Sequence, residues 1–282
     1  MKRRALLHAA LAFAALPARA QQDNGIAAAM SELLVRPERD LEYGPDARQR
    51  FDAYLPGTPR GPILLFVHGG AWSRGDKRSP ALAAKVRYWT ARGWVVVATN
   101  YRLLPRAHPL SQTRDVARAL AAVQRRASGW GADSARVVLM GHSSGAHLVA
   151  LLSAEPALAR EQGADPWRAT VCLDNPVFDV PALMNAPHAR LYDRAFGSFH
   201  AYWRTVSPLH RIARDARRML AVCSTRGAPA CAQAEAFAAR AARSGVKVDV
   251  RPVAIGHMDI DRQLGLPGTY TESVAGWIDS IL

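Results

Sequence analysis

With 282 residues, 49% of them hydrophobic and 21% charged, the chain is long enough for one large buried core, and its composition excludes disordered and fibrous classes. The formal charge of +14 comes with basic residues scattered through helical segments and no dense basic run interleaved with aromatics, a pattern that argues against nucleic-acid binding. No Cys-x-x-Cys occurs among the three cysteines, and no histidine pair lies one helical turn apart beside a carboxylate, so no metal site is expected.

Residues 1–20 read as a secretory leader. Lys2, Arg3 and Arg4 precede the apolar stretch Ala5 to Leu16, and Ala18-Arg19-Ala20 offers small residues around a cleavage point. Loss of this leader removes four basic residues and no acidic ones, so +14 becomes +10 for residues 21–282, read as one domain. No other stretch approaches the roughly 20 apolar residues of a transmembrane helix, and a periplasmic or secreted protein is expected. Ala-rich, Arg-over-Lys usage is what a GC-rich genome produces, and it accounts for much of the basicity.

Beyond the leader, buried strand-like runs alternate with helical segments, the signature of βαβ units. Gln49 to Leu55 is an amphipathic strand expected at the sheet edge. Buried strands are predicted at Ile63 to Val67, Trp94 to Thr99, Arg136 to Met140, Thr170 to Leu173, Met219 to Cys223 and Val246 to Pro252. Helices are predicted at Pro80 to Arg92, Ser111 to Ala127, Ser144 to Ser153 and Ala232 to Ser244, with a last one from Thr271. From about 175 to 217 the rhythm breaks. Pro176, Pro181, Pro187 and Pro208 punctuate an excursion too long for a simple connection, and it carries Phe178, Met184, Tyr192, Phe196, Phe199, Tyr202 and Trp203. These side chains suit a cap over a pocket, or else fill the cap's own small core.

Gly141-His142-Ser143-Ser144-Gly145 follows a buried strand directly and opens an Ala/Leu-rich helix. This is the context of a nucleophile elbow, in which glycines permit the sharp turn, the serine hydroxyl stands above the sheet, and the helix N-terminus favours developing negative charge. Upstream, Ile63 to Val67 runs into His68-Gly69-Gly70-Ala71-Trp72, where two glycines expose backbone amides. Together with the Ser144 amide these would bind an oxyanion. A general base must come late in the chain, and His257, between the last strand and the final helix, holds that position. His68 and His142 sit inside the motifs and are read as orienting loops.

The chain resembles α/β-hydrolase-fold carboxylesterases of the hormone-sensitive-lipase and feruloyl-esterase-like group. The resemblance rests on the HGGAW segment at 68–72, Asn100-Tyr101-Arg102-Leu103, the GHSSG elbow at 141–145 and a late histidine. It implies an eight-stranded, mostly parallel sheet with helices on both faces, an acyl-enzyme mechanism without a cofactor, and an oxyanion hole at Gly70, Ala71 and Ser144. One departure matters. The family's acid usually follows the strand at Met219 to Cys223, yet Ser224 to Ala230 contains no carboxylate. Asp174, at the end of the neighbouring strand, is the expected substitute, followed by Asp179 and then Asp259. Asp115 is read as capping or packing. Cys223 and Cys231 are placed to pair in an oxidising compartment and to fix that loop, whereas Cys172 reads as a buried thiol. The expected reaction is hydrolysis of a small-molecule ester with a short or aromatic acyl group. An arylformamidase-like amidase using the same residues and a catalytically silent binding protein are the alternatives, and the oligomeric state is not legible.

Overall fold

The computed structural model describes residues 35–58, 61–227 and 230–282. The expected leader at 1–20 lies outside them. Eight strands form one sheet: β1 Arg36–Glu42, β2 Arg50–Leu55, β3 Ile63–Val67, β4 Val95–Thr99, β5 Val137–His142, β6 Ala169–Leu173, β7 Met219–Ser224 and β8 Val248–Val253, in the spatial order β1-β2-β4-β3-β5-β6-β7-β8. Strands β3 to β8 run parallel, while β2 is antiparallel to β4 and β1 antiparallel to β2. Every residue of β3, β4, β5, β6 and β7 is buried. That two-sided burial is why these strands are unbroken apolar runs in the sequence rather than alternating ones.

The connections supply ten helices among the described residues: α1 Leu82–Thr90, α2 Pro109–Arg126, α3 Ser144–Ala154, α4 Ala157–Arg160, α5 Val180–Met184, α6 Arg190–Phe196, α7 His200–Thr205, α8 Ala230–Ala242, α9 His257–Gln263 and α10 Thr269–Asp279. They cover both faces of the sheet. Successive strand side chains point to opposite sides, so Ile63, Leu65 and Val67 pack with residues of α2, α3 and α8, while Leu64 and Phe66 pack with residues of α1 and α10. Pro109 opens α2 at its first turn, where its missing N–H costs nothing and its fixed φ favours the helix.

Three expectations need correction. Gln49 to Leu55 is not the sheet edge: β2 lies between β4 and the outermost strand β1. That edge strand escaped the hydrophobic pattern because five of its seven residues, in Arg36-Pro37-Glu38-Arg39-Asp40-Leu41-Glu42, are charged. Charge on an edge discourages pairing with another chain and erases the apolar alternation by which strands are recognised. The last strand begins at Val248 rather than Val246 and is only partly buried, as the opposite edge. Finally, His257 does not merely precede the final helix; it is the first residue of a separate short helix, α9.

Between β6 and β7 the excursion forms α5, α6 and α7. Most of its large side chains fill the cap's own core: Phe178, Met184, Phe196 and Trp203 are buried, and Phe178 stacks on Phe237 of α8 with centroids 4.5 Å apart. Phe199 is instead exposed, and of the seven side chains only Tyr192 lines the main cavity. Cys223, near the end of β7, is disulfide-bonded to Cys231 in the first turn of α8, and Cys172 is buried and free. Burial pushes the Cys172 thiol up to about 12, so it is inert as a nucleophile at neutral pH. Reduction, or the pair Cys223→Ala with Cys231→Ala, is expected to lower unfolding stability by about 2–4 kcal/mol. Urea denaturation with and without reductant checks this, and identical midpoints would contradict it.

Candidate active site

At the C-terminal ends of β3, β5, β6 and β7 the chain encloses a cavity of about 890 Å³ whose wall includes Ser143, His257 and Asp174. Sterics build its centre. A Cβ on Gly145 would sit 2.3 Å from the Val67 carbonyl oxygen and 2.5 Å from that of His68, and a Cβ on Gly141 would sit 2.4 Å from the Gly145 carbonyl oxygen. Glycine at 145 lets the N-terminus of α3 approach the end of β3 this closely, and glycine at 141 lets the elbow close back on the first turn of α3. Between them Ser143 adopts φ 53° and ψ −122°, a strained conformation for a residue with a side chain. Such strain costs on the order of 1–3 kcal/mol and is held in place by its surroundings. Here the Ser143 amide donates to the Leu173 carbonyl (3.0 Å), fastening the elbow to β6.

The residue that follows β6 is Asp174, also at positive φ (48°), with its amide donating to the Val222 carbonyl on β7 (2.8 Å). Its carboxylate is nearly inaccessible to solvent. Oδ1 accepts the Ser224 amide at 2.8 Å, and Oδ2 lies 2.6 Å from Nδ1 of His257. On the other side of the ring, Nε2 of His257 lies 3.0 Å from the Ser143 hydroxyl oxygen. The partners assign the tautomer: Nδ1–H donates to Asp174, and Nε2 accepts from the Ser143 hydroxyl. Asp174 thus occupies the position that the loop after β7 leaves without a carboxylate. Asp179 caps α5 by accepting the Ala182 amide (3.1 Å) and pairs with His210 (3.2 Å), while Asp259 lies in the first turn of α9 and does not line the cavity. Asp115 holds Arg102 through both carboxylate oxygens (2.7 Å each) and accepts from Gln49 (2.8 Å), a packing role.

Gly70, Ala71 and Ser144 all line the cavity. Gly70 sits at φ 128°, and a Cβ there would collide with the Arg74 carbonyl oxygen at 2.1 Å; Ala71 and Trp72 follow at φ 50° and 58°. The turn is held from below. His68 stacks on Tyr101 with centroids 4.5 Å apart, and its Nδ1–H donates to the Gly69 carbonyl (2.8 Å). Trp72 donates its indole N–H to Nδ1 of His147 (3.2 Å), whose Nε2–H donates to the Val206 carbonyl in the cap (2.8 Å).

Behind His257, His142 donates Nε2–H to the His257 carbonyl (2.9 Å), and its Nδ1 faces the Asp261 carboxylate at 3.7 Å. Asp261 in turn pairs with Lys85 of α1 at 2.7 Å, and Lys85 is fully buried. Sequence reading missed Lys85, Asp261 and His147, because nothing local marks a lysine or histidine on a helix as facing inward. The one available signal was the spacing of His147 four residues after Ser143, which puts it one turn below the elbow. Among the described residues, no group of three or more His, Cys, Asp or Glu side chains is placed to hold a metal ion, and no helix is long and apolar enough to cross a membrane.

A mostly parallel eight-stranded sheet with helices on both faces, a serine at a strand-to-helix elbow and a histidine after the last strand are the features of the α/β-hydrolase fold. Solved structures share this fold: esterase B from Lactobacillus rhamnosis (TM-score 0.70, 19% identity, covering 94% of this chain and 93% of that one) and a truncated carbohydrate esterase from gut microbiota (TM-score 0.72, 19% identity, covering 87% and 95%). Within the chain, residues 51–171 match the BD-FAE family model. The chain is 36% identical over 156 residues to esterase LipQ of Mycobacterium tuberculosis, covering 52% of this chain and 36% of that protein. It is 33% identical over 127 residues to isoprenylcysteine alpha-carbonyl methylesterase ICME of Arabidopsis thaliana, covering 44% and 29%. The chain spans about a third of the length of the first curated relatives it matches.

Two predictions follow from the buried groups around the site. Burial depresses both His68 and His147 to about 4, with backbone hydrogen bonds only partly opposing it, and lowers His142 in the same direction. In the unfolded chain these imidazoles take up protons near pH 6.5, whereas the folded state excludes them until about pH 4. Stability is therefore complete above about pH 6.5 and falls as the pH drops through the interval to about 4, by several kcal/mol in all. Urea midpoints measured across that interval test the sign. Lys85→Met is expected to destabilise by about 3–5 kcal/mol, because it strands the Asp261 carboxylate without its cation. Adding Asp261→Leu should recover part of the loss, and thermal unfolding of both variants measures it.

Proposed function

We propose that the protein is a serine carboxylesterase acting on short-chain or aromatic esters through an acyl-enzyme, with Ser143 as nucleophile, His257 as general base and then acid, and Asp174 as the acid that orients it. The observation that carries this reading is the continuous pair of contacts Asp174–His257–Ser143 at 2.6 and 3.0 Å, at the mouth of a cavity lined by the two glycine motifs. Similarity to proteins named as esterases supports it.

In this mechanism Ser143 Oγ attacks the ester carbonyl carbon while Nε2 of His257 takes its proton. The carbonyl oxygen becomes an oxyanion bound by the backbone amides of Gly70, Ala71 and Ser144, with the N-terminus of α3 adding favourable charge. Asp174 stabilises the imidazolium without accepting its proton. Collapse of the tetrahedral intermediate expels the alcohol, which takes the proton from His257, and leaves the acyl group on Ser143. Water then attacks the acyl carbon, giving its proton to His257; as the carboxylic acid departs, that proton returns to Ser143 Oγ. No cofactor enters any step. The cap of short helices, with Tyr192 as its aromatic contribution to the wall, fits small acyl groups better than long ones.

Export to the periplasm or the medium is part of the same proposal. Its support is the basic-then-apolar leader at 1–20 together with the Cys223–Cys231 bridge, since disulfides persist in oxidising compartments.

Hydrolysis of a p-nitrophenyl ester series from acetate to palmitate is expected to peak at short chains, to vanish in Ser143→Ala and to fall about 10⁴-fold in kcat in Asp174→Asn. Near-normal rates in Asp174→Asn would remove Asp174 from the mechanism. A folded protein inert to every ester and to a fluorophosphonate would sink the esterase reading and favour a silent binding protein, whereas labelling without ester turnover would redirect the search to formamides.

A further inference from the structure

The charges on the cavity wall are unevenly satisfied. Each carboxylate is answered from behind: Asp174 by His257 and the Ser224 amide, Asp261 by Lys85, and Asp76 by the Asn100 amide group at 2.7 Å and by Arg48 at 4.0 Å. The arginines on the same wall are not. Arg74 and Arg226 are exposed, and among the described residues neither guanidinium has a hydrogen-bond or ion-pair partner; a third, Arg262, approaches Asp259 only at 4.0 Å.

Both unpaired arginines belong to elements that build the reaction centre. The Arg74 amide donates to the Gly70 carbonyl (3.0 Å), so its side chain leaves the turn that presents the Gly70 and Ala71 amides. The Arg226 amide donates to Oγ of Ser224 (3.1 Å), the residue whose amide holds Asp174, and the Cys223–Cys231 bridge spans the segment that carries it. Two cations thus rise from separate elements, the turn after β3 and the segment after β7, into the cavity that holds the nucleophile, and Leu191 and Tyr192 add apolar surface to its lining. A neutral ester leaves both guanidiniums in water, whereas an ester with a carboxylate forms charge-assisted hydrogen bonds to them, bidentate in the favourable case.

We propose that the natural substrate is an ester bearing a carboxylate, bound by Arg74 and Arg226 while its ester carbonyl lies at Ser143. The proposal rests on the esterase reading and narrows its substrate class. The carboxylate belongs either to the acyl part, as in a half-ester of a dicarboxylic acid, or to the alcohol part, as in an acylated hydroxy acid.

The test compares matched pairs by pH-stat: monomethyl adipate against methyl hexanoate for an acyl-side charge, and 4-acetoxybutyrate against butyl acetate for an alcohol-side charge. A preference of about tenfold or more in kcat/KM for the acidic member of either pair, carried by KM, is expected. That preference should collapse in the double variant Arg74→Gln with Arg226→Gln. It should also shrink as ionic strength rises from about 0.01 M to about 1 M, where the screening length falls from ~30 Å to ~3 Å. Equal or lower kcat/KM for the acidic member of both pairs overturns the proposal while leaving the esterase reading intact, and a preference that survives the double variant overturns the assignment to these arginines. Failure to hydrolyse any of the four esters overturns the proposal, and the esterase reading falls with it only if the p-nitrophenyl series and the fluorophosphonate are also without effect.

Discussion

The packing of Gly145 against the carbonyl oxygens of Val67 and His68 is the constraint from which the rest of the site is assembled. It brings the first turn of α3 against the end of β3, and so brings the elbow into the neighbourhood of the His68-Gly69-Gly70 turn. Any side chain at 145 would hold the two apart. With them together, the chain between β5 and α3 has only a strained path open to it, and Ser143 takes that path at φ 53°. The same closeness puts His147, one turn along α3, within reach of the Trp72 indole. Trp72 in turn packs on Phe196 and Tyr192 of the cap, with ring centroids 5.0 and 6.0 Å away. One glycine contact therefore couples the nucleophile, the amide-presenting turn and the cap.

Parallel strand order explains how an acid supplied from β6 serves a histidine that follows β8. β6 lies between β5, which carries the elbow, and β7, which leads to Ser224. Residue 174 is tied to both neighbours: the carbonyl just before it accepts the Ser143 amide, and its own amide donates to Val222. From there its carboxylate needs no bend of the loop after β7 to reach His257, and the Ser224 amide fills its second oxygen. With each oxygen engaged by its own partner, the buried carboxylate is fixed in place and holds the imidazole in one orientation. The loop after β7 is thereby released from supplying the acid and is instead tied covalently to α8.

Buried charge in this basic chain is paired wherever it occurs on the sheet faces. Asp52 of β2 has no exposed surface, yet it accepts from Arg39, Lys77 and Arg78 and from the Asp40 amide. Burial alone would raise its pKa, but these bonds outweigh it and hold the carboxyl well below its usual range. The cluster fastens the charged edge strand β1 to the segment leading into α1. Lys85 and Asp261 do the same between α1 and α9, with burial lowering the lysine's pKa and Asp261 opposing it. The Asp52 cluster lies outside the cavity, and of the second pair only Asp261 reaches the cavity wall, with Lys85 buried behind it.

The sequence by itself determined the parallel core of the sheet, because strands buried on both faces must be continuous apolar runs. It also marked Ser143 and the two glycine motifs, because a sharp elbow and a close approach to another backbone can be met only by residues with little or no side chain. It placed His257 by order along the chain. What only the tertiary structure decided was pairing across space: that β1 exists as an edge strand despite its charges, that Asp174 rather than Asp179 or Asp259 meets the imidazole, and that Lys85 and His147 face inward. Periodicity reports which face of an element is apolar, whereas hydrogen bonds and ion pairs depend on which ends of which strands lie side by side. Strand order carries that information, and no local stretch of residues encodes it.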